Sequence, residues 1–438
     1  MAIDGNSNTI WHTQWQNVIG PHEIQINLGA AFEVDALRYL PRQDGSTKGR
    51  IDEYHIYVSS DGVDWGSPVA QGKFANNFSE KRIVFPPKTG QFVRLVANTE
   101  VQDRRWASMA EVNIEGKCRQ PFVKIINPLT DEVQSRPNLT VTASVCLTQA
   151  FHAGWKVRFS VDNGAQVQTI TLPGDGIIHS NTFQWTVTGL VGDNHQIQAS
   201  ILDNNNNPVA GPNTSDIVTH VGLGDVYDAV GDSLTVGIGD NDSSDMTSID
   251  GRNTNTGIGF IPLLNNLLTA EQGYPHNIYN NGVGGESSAS ELIRMPSILK
   301  QHKKATIYLL LLGTNDANSG MVPSGKGQNP PSSGTYKYNI QQIINLIGNS
   351  GGGKIVYLAK VPFTLNSSLI ADIQEYNDVI IELVAANGNV FVGPDLFGHF
   401  QSNQTELAPD GIHPNGNGYK SMGSLWCKVI SGGTCPIP

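Results

Sequence analysis

Apolar and polar positions divide the chain into three stretches. Up to about Cys118 they alternate in short runs, among them Glu23–Leu28, Tyr54–Val58, Lys81–Phe85 and Phe92–Val96, separated by turn pairs such as Asp44-Gly45 and Asp61-Gly62. A period of two with frequent turns predicts an antiparallel sandwich or barrel with no long helix. Residues 119–221 repeat the pattern at Val123–Ile126, Leu139–Cys146, Lys156–Val161, Thr182–Val187 and Gln196–Leu202. Pro- and Asn-rich turns between these runs predict a second, immunoglobulin-like β-sandwich, expected to be a linker because it gathers no catalytic residue types. From 222 to 438 the period switches. Strand-like runs at Val226–Val230, Asn277–Tyr279, Thr306–Leu312, Lys354–Val361 and Val390–Val392 alternate with helix-like stretches near Pro262–Leu268, Ser288–Lys300, Asn339–Ile347, Ile370–Ala386 and Gly418–Ile430. That alternation predicts an open parallel sheet covered by helices, with ligands expected beyond the carboxyl ends of the strands.

Composition agrees with a multidomain chain. At 438 residues two or three cores are expected, and 39% hydrophobic against 15% charged residues, with 47 Gly and 23 Pro, suits loop-rich β and α/β domains. A formal net charge of −11 without runs of Lys or Arg argues against nucleic acid as a partner. The longest apolar stretch, Ile307–Leu312, is far too short for a bilayer span, so no membrane span is expected. Cys427 and Cys435 close a short C-terminal loop and form a candidate bridge, with Cys118 and Cys146 as a second candidate pair; buried free thiols are the alternative.

Candidate chemistry collects at the strand ends of the third stretch. After the first run comes Gly231-Asp232-Ser233-Leu234, which presents a hydroxyl where a strand turns, although such a sequence is also ordinary turn chemistry. After the second comes Asn280-Asn281-Gly282-Val283-Gly284-Gly285, whose backbone N–H groups can face a developing oxyanion or simply make a tight turn. Gly313-Thr314-Asn315-Asp316 follows the third with a side-chain amide. Near the C-terminus Asp410-Gly411-Ile412-His413-Pro414 sets a carboxylate and an imidazole three residues apart, a spacing that lets Asp410 fix the His413 tautomer. Each element alone is ambiguous; their order and placement together point to nucleophilic acyl transfer.

These four blocks resemble those of the GDSL/SGNH hydrolases, across the whole of residues 222–438. The resemblance implies an α/β/α fold with a parallel sheet and a Ser-His-Asp triad of Ser233, His413 and Asp410. It also implies an oxyanion hole from the Ser233 and Gly285 N–H groups and the Asn315 side chain, with no catalytic cofactor.

At the other end, Ala2-Ile3-Asp4-Gly5-Asn6, Thr9-Ile10-Trp11-His12-Thr13-Gln14-Trp15, Leu37–Gly45 and Trp106–Glu111 resemble family 32 carbohydrate-binding modules over residues 1–118. These have the discoidin-like, coagulation-factor type C jelly-roll fold. The resemblance implies a structural calcium held by side chains of Asp4, Thr9 and Glu111 and backbone oxygens of Met1, Asn6 and Ala110, oxygen donors as a hard cation requires. It makes His12, Trp15, Arg42 and Gln43 candidate sugar contacts, and Trp11 and Trp106 core residues. Only Met1, Ala2 and Ile3 precede the opening turn where such modules carry a further strand, so a truncated chain is expected.

The combined expectation is a monomeric, secreted or periplasmic carbohydrate esterase that removes acetyl or other small acyl groups from a polysaccharide to which its N-terminal module tethers it. The alternatives are a lipase, arylesterase or thioesterase of the same family, or a sugar-binding adhesin with an inactive hydrolase domain.

Overall fold

The computed structural model describes residues 2–3, 7, 10–13, 20–104, 106–146, 154–172, 180–242, 247–252, 257–318 and 322–436. They form two compact units, one of Met1–Asn127, Val141–Trp185 and Ile197–Ile217, the other of Pro128–Thr140, Thr186–Gln196 and Val218–Pro438.

The first unit is built on an antiparallel sheet of five strands in the order Ala70–Lys73, Glu53–Ser59, Lys81–Ala97, His22–Leu40, Glu111–Cys118. Where the alternation predicts separate short runs, single long strands form. Register shifts between Asn27 and Phe32 and between Val34 and Ala36 let one chain of 19 residues keep pairing while its alternation breaks. Gly29, at φ 80°, takes up the first shift. Val34, Leu37, Ile56, Val58, Val93 and Leu95 close the core beneath the sheet. The middle stretch is also β: Lys156–Val161 pairs antiparallel with Gln166–Thr171 on one side and with residues 197–202 on the other. Phe122–Asn127 pairs with residues 142–146. Cys118 is bonded to Cys146, and the bridge packs with Ala30 and Phe122.

The second unit is the predicted parallel α/β structure. Its strands are β1 (Ser215–Gly231, through its last residues), β2 (His276–Gly282), β3 (Ile307–Leu311), β4 (Ile355–Leu358) and β5 (Val390–Val392), all parallel in the order β2-β1-β3-β4-β5. Its helices are α1 (Ser233–Val236), α2 (Phe260–Gln272), α3 (Ser288–Gln301), α4 (Thr314–Asn318), α5 (Tyr336–Asn349), α6 (Ile370–Ala386), α7 (Leu396–Ser402) and α8 (Gly416–Ser431). Because successive side chains of a strand face opposite ways, β1 feeds two cores. Val226 and Val230 pack with α3, α5 and α6, whereas Tyr227 and Ala229 pack with α2, α7 and α8. Helices therefore cover both faces, which explains the unbroken apolar run of β3. Strand order reverses between β1 and β3, so the ligand crevice of such a sheet opens at their carboxyl ends. The Cys427–Cys435 bridge ties the chain beyond α8 back to that helix.

Residues 322–335, rich in Gly, Pro and Ser, are held on α6. Ser324 Oγ donates to Glu375 at 2.6 Å, Lys326 pairs with Asp378 at 2.5 Å, and Gly327 N–H donates to Glu382 at 3.0 Å.

Candidate active site

The site is assembled at the strand ends on either side of the reversal. β1 stops at Gly231, where a side chain is excluded: a Cβ there would lie 2.3 Å from Thr235 Oγ1 and 2.4 Å from Leu311 O. Asp232 caps the following turn, its Oδ1 accepting the Leu234 N–H at 3.0 Å, and Ser233 opens α1 half-buried. His413 comes to it from 180 positions along the chain, with Nε2 2.8 Å from Ser233 Oγ. On the ring's other side Nδ1 lies 2.6 Å from Asp410 Oδ2, while Asp410 Oδ1 accepts the N–H groups of Ile412 at 2.9 Å and His413 at 3.0 Å. The Ala408–Pro414 loop is pinned by Ala408 N–H to His413 O and by Leu365 N–H to Gly411 O. Gly239, at φ 96°, leaves room for the ring, since a Cβ there would come within 2.9 Å of His413 Cβ.

Electrostatics orient this chain of bonds. Burial alone would raise the Asp410 carboxyl, but bonds from the His413 ring and the two backbone N–H groups outweigh it and hold the carboxyl below the usual carboxylate range. An ionised Asp410 only accepts hydrogen bonds, so Nδ1 carries the proton and Nε2 is left to accept one from Ser233. The side chains of His413 and Asp410 are 19% and 50% exposed, so reactant can reach them.

Asp232 behaves oppositely. Full burial pushes its carboxyl up to about 7, and the Leu234 N–H only partly offsets this while Asp316 and Glu286 add to it. A raised carboxylate value means that the folded chain holds a proton the unfolded chain has lost, so stability from this group declines as pH rises from the ordinary 3.8 to about 7. Chemical denaturation at several pH values should show that decline in the wild type and a flatter profile in Asp232→Asn; identical slopes would refute it.

The segments that carry the predicted oxyanion donors are bonded to Gly231 and Asp232, the two residues before Ser233. Gly285, at φ 78°, stands in open space, and its N–H meets no acceptor among the described residues. Val283 N–H donates to Gly231 O at 2.9 Å and so holds the Gly284-Gly285 turn against the end of β1. Asn315 lies in α4. Its Nδ2 donates to Asp232 Oδ2 at 3.2 Å and to Glu286 O at 3.0 Å. Behind it Asp316 is buried and accepts Ser288 N–H at 2.9 Å and Ser288 Oγ–H at 2.5 Å.

In the first unit, Arg42 forks onto Asp44 at 2.8 and 2.5 Å, and Gln43 donates to Pro41 O at 2.7 Å and Phe78 O at 2.9 Å. Gln43 is exposed and Arg42 half-buried. His12 has its ring 6.3 Å from Trp106, and Trp15 lies outside the described residues. Trp11 packs on the core as expected, but Trp106 lines a cavity of about 190 Å³ together with His22, Asn98, Glu100 and Arg104. That cavity was not legible in the sequence, because its walls come from segments some 75 residues apart that no short motif links. Of the calcium set, Ala110 and Glu111 stand at the head of Glu111–Cys118, and Met1, Asp4, Asn6 and Thr9 lie outside the described residues.

Two known families match parts of the chain. Residues 1–112 match the F5/8 type C domain and residues 229–420 the GDSL-like Lipase/Acylhydrolase family. The chain joins an F5/8 type C domain to a GDSL-like lipase/acylhydrolase domain. The type C domain is 36% identical over 119 residues to a sialidase of Micromonospora viridifaciens, covering 26% of this chain and 18% of the sialidase. It is also 36% identical to the Clostridium perfringens module CpGH89CBM32-5 in complex with GalNAc-beta-1,3-galactose, covering 26% of this chain and 79% of that one with a TM-score of 0.24. The esterase TesA of Pseudomonas aeruginosa is 32% identical over 100 residues, covering 23% of this chain and 42% of the esterase. This chain thus spans less than a fifth of the sialidase and less than half of the esterase. Among the described residues no helix is long and apolar enough to cross a membrane.

Proposed function

We propose that the chain is a serine esterase acting on acylated polysaccharide, with Ser233 as nucleophile, His413 as general base and Asp410 as its orienting partner. The observation that carries the reading is the continuous chain of hydrogen bonds from Asp410 through both ring nitrogens of His413 to Ser233 Oγ. Ser233 Oγ attacks the ester carbonyl as its proton passes to Nε2, and the tetrahedral oxyanion is met by the Gly285 and Ser233 N–H groups and the Asn315 amide. His413 then protonates the leaving alkoxide. Water, deprotonated by the same ring, releases the acid from the acyl-enzyme. The type C domain supplies the glycan-binding half of the reading, since relatives of that domain include a module in complex with a disaccharide. Tethering raises local ester concentration without a new contact at Ser233. Action on a polysaccharide also favours secretion.

Acetate release from a panel of acetylated glycans, together with a p-nitrophenyl ester series of rising chain length, tests the substrate class. Activity on acetylated glycan and a sharp preference for acetate are expected; preference for long acyl chains would overturn it. A second reading as a lipase or arylesterase has its own support, because Ile238, Val283 and Leu365 are exposed on loops next to the site residues. The same ester series separates the two.

Calcium is proposed for the type C domain. The Glu111 carboxylate is buried at a strand head, and Val112 N–H donates to Ala2 O at 2.7 Å, which brings Ala2 alongside the start of that strand. These oxygens suit a hard cation, which would fasten the opening turn to the last strand of the sheet. Thermal unfolding should shift down on chelation and recover with added calcium; a midpoint indifferent to both would exclude the site.

A further inference from the structure

Two successive glycines give the turn after β2 little rigidity of its own, and Gly285 at φ 78° has open space around it. The turn nevertheless has to hold one N–H steady, so its fixed points matter. One is Val283 N–H on Gly231 O, and a second is Glu286 N–H on Val283 O at 3.2 Å. The third is Arg294, two turns into α3. Its Nε donates to Glu286 Oε1 at 3.2 Å and Oε2 at 3.0 Å, and its Nη2 reaches Glu286 Oε2 at 2.7 Å, Glu291 Oε2 at 2.5 Å and Asn281 O at 2.6 Å.

These acceptors lie on both sides of the glycine pair, Asn281 before it and Glu286 after it. One planar guanidinium therefore closes the loop like a staple. Glu286 and Glu291 are only 7% and 0% exposed, so water competes little for the bonds. Burial pushes the Glu291 carboxyl up to about 8, with Arg294 opposing that rise and Glu286 adding to it. Arg294 is thus the cation that lets two buried carboxyls sit together. Glu286 carries the effect onward, because its carbonyl accepts the Asn315 amide.

We infer that Arg294 is a positioning residue for acyl transfer: by holding Asn281 O and the Glu286 carboxylate it fixes where the Gly285 N–H and, through Glu286 O, the Asn315 amide point. The inference rests on the assignment of Ser233, Gly285 and Asn315 made above. Lysine keeps the charge but has no fork to bridge three acceptors, so charge and geometry can be told apart.

The test uses the full chain with p-nitrophenyl acetate, measuring kcat, KM, thermal midpoint and inhibition by phenylboronic acid, which mimics the tetrahedral adduct. Arg294→Gln is expected to lower kcat about 10- to 100-fold, less than outright loss of an oxyanion donor, with KM nearly unchanged and boronate affinity reduced in step. Arg294→Lys should fold as the wild type does and recover part of the loss. If Arg294→Gln does not fold, Arg294→Lys decides: a fall in kcat at constant KM supports the role, and wild-type kcat and boronate affinity overturn it. Ser233→Ala is run alongside. Loss of turnover there with normal Arg294 variants defeats the positioning role alone, whereas turnover by Ser233→Ala defeats the site assignment and this role with it.

Discussion

In a Ser233→Ala variant ester turnover falls by about 10⁶-fold, the scale on which removal of a serine nucleophile acts when base and oxyanion donors are left in place. Thermal stability stays near that of the wild type, because the lost hydroxyl is half-buried and its recorded partner is the His413 ring. A fluorophosphonate that labels the wild-type chain leaves the variant unlabelled, which separates a missing nucleophile from a damaged fold. The Asp410 carboxyl, held below the usual carboxylate range by the His413 ring and two backbone N–H groups, keeps its hydrogen-bond acceptors in place in the variant as in the wild type. Turnover by Ser233→Ala within tenfold of the wild type would remove the proposal.

What could be read in advance depended on how far apart the interacting residues lie in sequence. The parallel strands were legible because two-sided burial demands continuous apolar runs, and Ile307–Leu312 contains the observed strand Ile307–Leu311. Helices of 13 residues or more were legible from their period, whereas the short turns α1, α4 and α7 were not, because four to seven residues complete too few turns to show one. Ser233, His413 and Asp410 could be picked out because each sits in a short block, yet the Ser233–His413 bond joins positions 180 apart and only the folded sheet brings them within 2.8 Å. Arg294 escaped notice for the opposite reason. It lies on an amphipathic helix where an arginine ordinarily meets solvent, and its role depends on Asn281 and Glu286 being folded back over it. The long N-terminal strands were read as fragments, since each register shift imitates a turn by interrupting the alternation.

Asn315→Ala raises the barrier to acyl transfer by about 2.7–4 kcal/mol, a hundredfold to thousandfold loss in kcat, with KM little changed because the lost donor acts on charge that develops after binding. The geometry adds a second consequence that separates this variant from Ser233→Ala. Both amide hydrogens of Asn315 already have acceptors, Asp232 Oδ2 at 3.2 Å and Glu286 O at 3.0 Å, so donation to an oxyanion means exchanging one of these bonds, and the bond to Asp232 is the longer. Removing the amide also strips a donor from a fully buried carboxyl, at a cost of about 1–3 kcal/mol in stability. Asn315→Ala therefore unfolds at lower temperature than the wild type, whereas Ser233→Ala does not. Because Asp232 titrates near 7, the cost is larger above that pH, where the stranded group is an ion, than below it, where it is a neutral acid. Steady-state kinetics with denaturation at pH 6 and pH 8 check both parts. A kcat within a few-fold of wild type refutes the donor role, and an equal loss of stability at the two pH values refutes the bond to Asp232.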